Sequence, residues 1–313
     1  SKSLIKKRGN FLFRQELRNL TLEPTPLCSF LFNLVVGIIF LIVMIPIFRS
    51  ASDYKTYRVE YTDCNDNDEE PCIKTLKVEE PLEGPVIVFY ELENFYINHK
   101  EFVRSKQFSQ LRDHVDKSSK FFLCEGAQYM YQMKDDGNYT TYTGAPLKND
   151  SIAYPCGLFA KYHFTDSFSL MSPDNKDVFI NETNIAYKEH KDKLFINNED
   201  SEKIQWKDIE DEHFIVWMTA EANHDFMKIW GRIEVDSFPA GEYKVHINNK
   251  WKAGQSITRK FFKITNTVAY GSNPLFGVLL ALFGGISILF SFVMGGIYFT
   301  KRNEEFDPSK MVW

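Results

Sequence analysis

The chain has 313 residues, 44% of them hydrophobic and 25% charged, the balance of a folded protein and not of a disordered one. Its net charge of −5, from 37 Lys and Arg against 42 Asp and Glu, lacks the basic footprint of a protein that tracks phosphate backbones, so no nucleic acid partner is expected. Five cysteines are too few for a disulfide-dense miniprotein. What decides the class is that the apolar residues are unevenly spread.

Residues 1–26 form a basic tail, with Lys2, Lys6, Lys7, Arg8, Arg14 and Arg18 against Glu16 and Glu23. Within it Phe13, Leu17 and Leu20 share one helical face and Arg14 and Arg18 another, the pattern of an amphipathic segment lying in the inner leaflet. Residues 27–48 then carry no Asp, Glu, Lys, Arg or His. At 1.5 Å per residue these 22 residues reach roughly 33 Å, against a hydrocarbon core of about 30 Å, so they read as a transmembrane helix. Both this run and the tail before it are too long for a cleaved signal peptide. A second uncharged run, 275–299, reaches roughly 37 Å and is read as a second, tilted span. The tail 300–313 opens with Lys301-Arg302 and is balanced by Glu304, Glu305, Asp307 and Lys310. Basic flanks stay on the cytosolic side, so both termini are expected in the cytosol and residues 49–274 on the exoplasmic or lumenal side.

That intervening segment holds 28 basic and 37 acidic residues, a net of −9, and four of the five cysteines. Cys64, Cys72, Cys124 and Cys156 are an even number in a compartment where disulfides persist, while Cys28 at the cytosolic border stays a thiol. Four cysteines allow three connectivities, and the sequence alone does not choose. The most local, non-nested choice is Cys64 to Cys72 and Cys124 to Cys156; in the chain-entropy model these loops contribute about 2.6 and about 3.7 kcal/mol. Three N-x-[ST] triplets, at Asn138, Asn149 and Asn181, are candidate glycan acceptors.

Alternation predicts strands at 57–61, 86–90, 214–218, 229–235 and 243–247, divided by turn signals such as Asp136-Gly137 and Asn248-Asn249. Residues 92–111 place Phe95, His99, Phe102 and Val103 at helical spacing and predict a helix. Phe95, Tyr96 and Trp217 read as core. The expected fold is a two-span α-helical membrane protein with a large, mainly antiparallel-β (α+β), disulfide-clipped and glycosylated exoplasmic domain.

Catalytic constellations are sparse. The seven histidines show no metal-ligand spacing, and there is no phosphate loop, nucleophile elbow or C-x-x-C pair, so no catalytic residue, metal or cofactor is assigned. The acidic run 63–70 lacks the alternating ligands and glycine of an EF-hand loop and reads as a solvated hairpin. In the second span Gly277, Ala281 and Gly285 lie four apart, as do Ser287, Ser291 and Gly295, the small-residue spacing that lets helices approach. In the first, Asn33 and Gly37 place an amide where it can bond a neighbouring helix. More than one such face points to a further membrane partner.

Specific strings carry a resemblance. The segment 89–105, with Glu91, Leu92, Asn94, Phe95, Tyr96, Asn98 and His99, and the segment 154–168, with Pro155, Cys156, Gly157, Phe164 and Asp166, resemble signatures of one family. So do the Phe-Ile-Val-Trp-Met stretch 214–218 with the later Arg-Ile-Glu and Pro-Ala-Gly-Glu-Tyr elements, and Gly271-Ser272-Asn273-Pro274 before the second span. The chain is identified over essentially its whole length as resembling the accessory β-subunits of phospholipid flippases, the family of cell-division-control protein fifty and ligand-effect modulator three. With only Cys64 and Cys72 in the first exoplasmic loop, it has one clip where many animal members have two. The resemblance implies a non-catalytic subunit of a type IV P-type ATPase that moves phospholipid from the exoplasmic to the cytosolic leaflet. It implies a heterodimer with the ATPase α-subunit, contact with membrane lipids, and a role in folding, export and the transport cycle. It places the protein in the endoplasmic reticulum, Golgi, endosomal or plasma membrane. The alternative of a two-span ligand-gated channel subunit meets spans without charge and too few cysteines; a membrane-anchored ectoenzyme meets no candidate nucleophile.

Overall fold

The computed structural model describes residues 25–64, 70–112, 124, 126–133, 137, 139–252 and 257–302. The basic amphipathic tail, the centre of the acidic run, Asn138 and the last residues of the chain lie outside the described residues.

The two apolar runs form the helices α1 (Pro26–Asp53) and α9 (Leu275–Arg302), both long and apolar enough to cross a membrane. Each continues beyond its uncharged run, and Pro46 lies inside α1. They pack as a pair in one compact unit. A Cβ on Gly37 would lie 2.6 Å from the Ile288 side chain and 2.9 Å from Gly284 O, and one on Gly284 would lie 3.1 Å from Gly37 O. Along the same line Gly277 meets Ile47 and Phe48, Gly295 meets Phe30, and the buried Ser291 hydroxyl donates to Phe30 O at 2.9 Å. The packed face therefore follows 277, 284, 291 and 295, close to a seven-residue repeat, whereas Gly285 faces open space. Of the four-residue rows predicted above, Gly277 of one and Ser291 and Gly295 of the other lie on this face, whereas Gly285 does not and Gly284, outside both rows, does, because a near-antiparallel pair keeps contact through a seam of about 3.5 residues per turn. Asn33 does not reach across either. Its Nδ2 donates to Ser29 O of its own helix at 2.8 Å, so this bond stays within α1.

The second unit, Asp53–Ala269, holds the strands. In chain order it runs β1 (Thr56–Glu60), β2 (Cys72–Val78), β3 (Leu82–Glu83), β4 (Val86–Glu93), α2 (Lys100–Arg104), α3 (Phe108–Leu111), α4 (Met130–Met133), α5 (Leu158–Lys161), β5 (Ser167–Met171), β6 (Asp177–Val178), α6 (Lys188–Lys193), α7 (Ser201–Ile204), α8 (Glu212–Met218), β7 (Phe226–Ile233), β8 (Ser237–Phe238), β9 (Gly241–Asn248) and β10 (Arg259–Asn266). Among the described residues these pair antiparallel into a sheet β1-β10-β4-β7, a sheet β2-β9-β5-β6 and a small pair β3-β8. Alternation is clean in β4 and β9, where Val86, Val88, Tyr90, Leu92 and Tyr243, Val245, Ile247 turn inward. One hydrophobic cluster takes the inner residues of both sheets, with Phe168 of one 5.1 Å from Phe262 of the other. In β1-β10 Thr56 lies opposite Thr265, so the chain enters and leaves this domain on neighbouring strands. β7 carries one extra residue, Trp230, opposite the Val88–Phe89 step of β4.

Two expectations are corrected. Residues 214–218 belong to helix α8: Asp211 caps it by accepting from His213 N at 3.2 Å, and all five residues are buried, so there is no exposed face to read a period from. Residues 92–111 are not one helix. β4 runs through Glu93, Asn94 turns the chain at φ 61°, and two short helices follow, separated by Ser105-Lys106-Gln107. Local helical spacing there yields to the strand pairing of Leu92 with Lys260.

The helix pair generates a test. Replacing Gly37 or Gly284 by Leu is expected to lower the unfolding midpoint of the detergent-purified full chain, at a cost of about 1–3 kcal/mol for overpacking. Gly285→Ala, directed into open space, leaves the midpoint unchanged; scanning fluorimetry of the three variants reads the difference.

Candidate functional site

One of the segments that carry the resemblance, 154–166, is mostly irregular and runs through the core of the second unit, where Trp217 of a second such segment bonds it and Phe95 of a third packs on Trp217. The backbone of 154–166 is buried without ladder partners, so its carbonyls need donors. Three tryptophans supply them: the indole N–H of Trp206 donates to Pro155 O at 2.7 Å, that of Trp217 to Phe159 O at 2.7 Å, and that of Trp251 to Tyr162 O at 3.1 Å. Gln110, 1% exposed, accepts from Cys156 N at 2.8 Å and donates to Ala153 O at 3.2 Å. Gly157 sits at φ 107°, and a Cβ there would lie 2.1 Å from Ser105 O, so only glycine lets the segment approach this closely. Phe95 adds its ring to Phe102, Trp217, Phe226 and Trp251 around the same place.

Asp166 closes the segment with no exposed surface. Its carboxylate accepts from Tyr61 Oη at 3.1 Å, Lys260 Nζ at 3.1 Å and Trp251 N at 2.6 Å. Lys260 also donates to Asn249 Oδ1 and lies over the Tyr61 ring. Burial pushes the Asp166 carboxyl up from its ordinary value, and the Lys260 ammonium with the Trp251 and Tyr61 donors pulls it partly back. Burial, with Asp166 beside it, pushes the Tyr61 hydroxyl well up. The group is a connected buried ion pair that ties β1, β10 and the 154–166 segment together.

Helix α8 is held at both ends. At its start Glu212 accepts from Ile185 N at 2.7 Å and Ala186 N at 3.1 Å and pairs with Lys191 at 2.7 Å. Burial pushes Glu212 up, but Lys191 and the backbone N–H groups of Ala186, Asn184 and Ile185 outweigh it and hold the carboxyl at about 2. At its end Lys228, its side chain 1% exposed, donates to Val216 O and Thr219 O and pairs with Glu221 at 3.0 Å. Burial lowers this ammonium to about 8 despite Glu221. Lys106 donates to Met218 O at 3.3 Å, so acids sit at the helix N-terminus and ammonium groups at its C-terminus, as the dipole favours.

On the surface, Arg259 pairs with Glu60 and Glu93, Arg58 with Glu91 and Glu93, and both guanidinium groups lie over Phe261. A groove of about 370 Å³ opens over Lys228, lined by Phe89, Ile185, Tyr187, Ile215 and Met227. Tyr96, read as core from the sequence, is 56% exposed and stacks on His224, while Phe95 and Trp217 are buried. Cys64 is bonded to Cys72 with Cα atoms 5.8 Å apart, and Cys124 to Cys156 at 5.7 Å; Cys28 is a free, exposed thiol. The second bond fastens Cys156 beside Gly157. Asn149 is exposed and Asn181 half-buried, its amide donating to Glu234 at 3.1 Å. Asn138 lies outside the described residues.

Among the described residues no three His, Cys, Asp or Glu side chains converge as a metal site. The buried charged groups hold backbone and one another, an arrangement that fixes the shape of the domain. The residues missed in the sequence were Asp166 as a clamp, Lys260, Lys228 and Glu212. A usable signal existed: Lys228 shares its strand parity with Phe226 and Trp230, and Lys260 with Phe262 and Ile264, so both lysines stand at inward positions.

Comparison with known sequences adds a second line of observation. A sequence model of the LEM3 (ligand-effect modulator 3) family / CDC50 family matches residues 47–304. The chain is 30% identical over 257 residues to ALA-interacting subunit 3 of Arabidopsis thaliana, covering 77% of this chain and 68% of that protein. It is 24% identical over 315 residues to cell cycle control protein 50A of Bos taurus, covering 86% and 82%. It is 26% identical over 272 residues to the phospholipid-transporting ATPase accessory subunit CDC50 of Chaetomium thermophilum, covering 77% and 63%.

Two outcomes are expected of the clamp and the helix anchor. Asp166→Ala strands the Lys260 ammonium and costs about 3–5 kcal/mol, read as loss of folded full-length protein or a large fall in unfolding midpoint. Glu212 has its folded pKa of about 2 below its ordinary 4.5, so its contribution is complete above about pH 4.5 and is lost as pH falls through 2. Allowing for solvent screening it contributes about 2 kcal/mol. Glu212→Gln is therefore less stable at pH 7, and the gap between the two proteins in denaturant titrations shrinks to roughly half near pH 3.

Proposed function

The chain belongs to the CDC50/LEM3 family, and from that premise we propose that it is the non-catalytic accessory subunit of a type IV P-type ATPase, a flippase that moves phospholipid from the exoplasmic to the cytosolic leaflet. The observation that carries this reading is the family match across residues 47–304, which spans the whole strand domain, all of the second apolar helix and the end of the first. The printed name of the Chaetomium relative, a phospholipid-transporting ATPase accessory subunit, and that of the Arabidopsis relative, an ALA-interacting subunit, support the partner class. Phosphorylation, ATP hydrolysis and the lipid path then belong to the partner. This chain contributes a rigid exoplasmic domain and two spans beside the partner's helices, and it supports the partner's folding, export and transport cycle.

In this reading both termini are cytosolic and residues 49–274 exoplasmic, supported by the basic flank before the first span and by the disulfides of the strand domain. Cys64, Cys72, Cys124 and Cys156 hold the domain, Asn138, Asn149 and Asn181 are its glycan acceptors, and the protein resides in the endoplasmic reticulum, Golgi, endosomal or plasma membrane. No catalytic residue, metal or cofactor is assigned. The large outward surface of the helix pair, with Leu282, Phe283, Ile286, Leu289 and Phe292 exposed, leaves apolar area for lipid and for partner helices.

Purification of the tagged full chain in mild detergent is expected to bring down a P-type ATPase in near-equimolar amount, identified by mass spectrometry. Depleting the chain is expected to retain that ATPase in the endoplasmic reticulum. A preparation that is folded and free of any P-type ATPase overturns the reading.

A further inference from the structure

We propose that the glycan on Asn181 is a seated one: its first sugars occupy the cleft lined by Gly84, Pro85, Arg232, Glu234, Val235 and Asp236. The inference rests on the exoplasmic placement proposed above and names what one of the acceptor sites then does. The cleft has a volume of about 480 Å³, within the ~300–1,000 Å³ range of small-ligand sites.

Asn181 is built into the edge of this cleft. Its N–H donates to Arg232 O at 2.7 Å and its carbonyl accepts from Arg232 N at 2.9 Å, so the backbone is locked to the strand that continues into the cleft wall. Its side-chain Oδ1 accepts from Thr183 N at 3.0 Å and from Thr183 Oγ1 at 2.8 Å, an Asx turn that closes the triplet on itself. Nδ2 is thereby turned the other way and donates to Glu234 Oε1 at 3.1 Å, at the rim. At Asn149 the corresponding hydroxyl, on Ser151, donates instead to Lys148 O at 2.6 Å.

Transfer from a polyprenyl-pyrophosphate-linked oligosaccharide forms the Nδ2–C1 bond, breaks the C1–O bond to pyrophosphate and releases one amide proton. The other amide hydrogen remains and keeps the bond to Glu234, which aims the first sugar over the cleft floor. The lining suits a pyranose. Pro85 and the 38%-exposed Val235 offer an apolar shelf for a ring face or an acetamido methyl group. Glu234 and Asp236 offer acceptors for hydroxyls, and Arg232 a donor for the acetamido carbonyl. The floor is preformed: Gly84 N donates to Asp236 O at 3.0 Å, and a Cβ on Gly84 would lie 1.5 Å from Val235 O. A preformed seat spares the glycan part of its ordering cost.

The test uses the full chain made in a glycosylating eukaryotic host and purified in mild detergent, with glycopeptides read by mass spectrometry. An endoglycosidase that cuts between the two core sugars is expected to release the Asn181 glycan at least tenfold more slowly from native than from denatured protein. Glu234→Ala and, separately, Val235→Asp are expected to raise the native rate at least fivefold; both positions are exposed and neither change enters the core. A rate that neither variant changes overturns the seat, and so does an unmodified Asn181. An absence of sugar on Asn138, Asn149 and Asn181 alike overturns the exoplasmic placement itself, while failure to recover an ATPase leaves the release rates untouched.

Discussion

A carboxylate with no exposed surface survives only where the chain around it supplies a counter-charge and donors, and Asp166 sets that requirement for the strand domain. Lys260 answers it from β10, Tyr61 from the residue after β1 and Trp251 from the loop between β9 and β10. Tyr61 and Lys260 are about two hundred residues apart in the chain, and the pairing of the first and last strands of the domain is what brings them together. That pairing in turn places the domain's entry and exit side by side.

The same logic recurs in uncharged form along 154–166. This segment has neither helix nor ladder for most of its length, yet it passes through the core. Three indole N–H groups, one buried glutamine and one disulfide substitute for secondary structure. Each substitute comes from a different stretch of the chain, and one of them, Trp217, lies in a string of the family resemblance other than the one that holds the segment itself. In the role proposed, such a domain works by keeping its surface in one shape, and its buried polar groups are spent on rigidity.

Legibility from sequence varied with the kind of signal. Both apolar helices were plain, since length and absence of charge need no tertiary context. β4 and β9 were legible because one face is wet and one dry, and period two survives. Residues 214–218 misled for the opposite reason: a short run buried on all sides shows no period, and Asp211 as a cap was the overlooked cue. The helix pair was legible in part: Gly277, Ser291 and Gly295 do line the contact, but crossing geometry brings in Gly284 and leaves Gly285 outside. Nothing in the local strings singles out Lys228 and Lys260, though their strand parity puts them inside. Tyr96 was the reverse, an aromatic that ended outside because Asn94 turns the strand away at Glu93.

By itself the sequence determined two apolar helices, a polar domain between them, the cysteines available to clip it and the family it resembles. All of these depend on composition over a window or on strings of adjacent residues. Only the tertiary structure decided which helix faces meet, that Asp166 and Lys260 are partners, which end of α8 each buried charge holds, and that Asn181 stands at the lip of a cleft. Those outcomes depend on residues brought together across long separations, where burial converts a charge that water would ignore into one that must be paired.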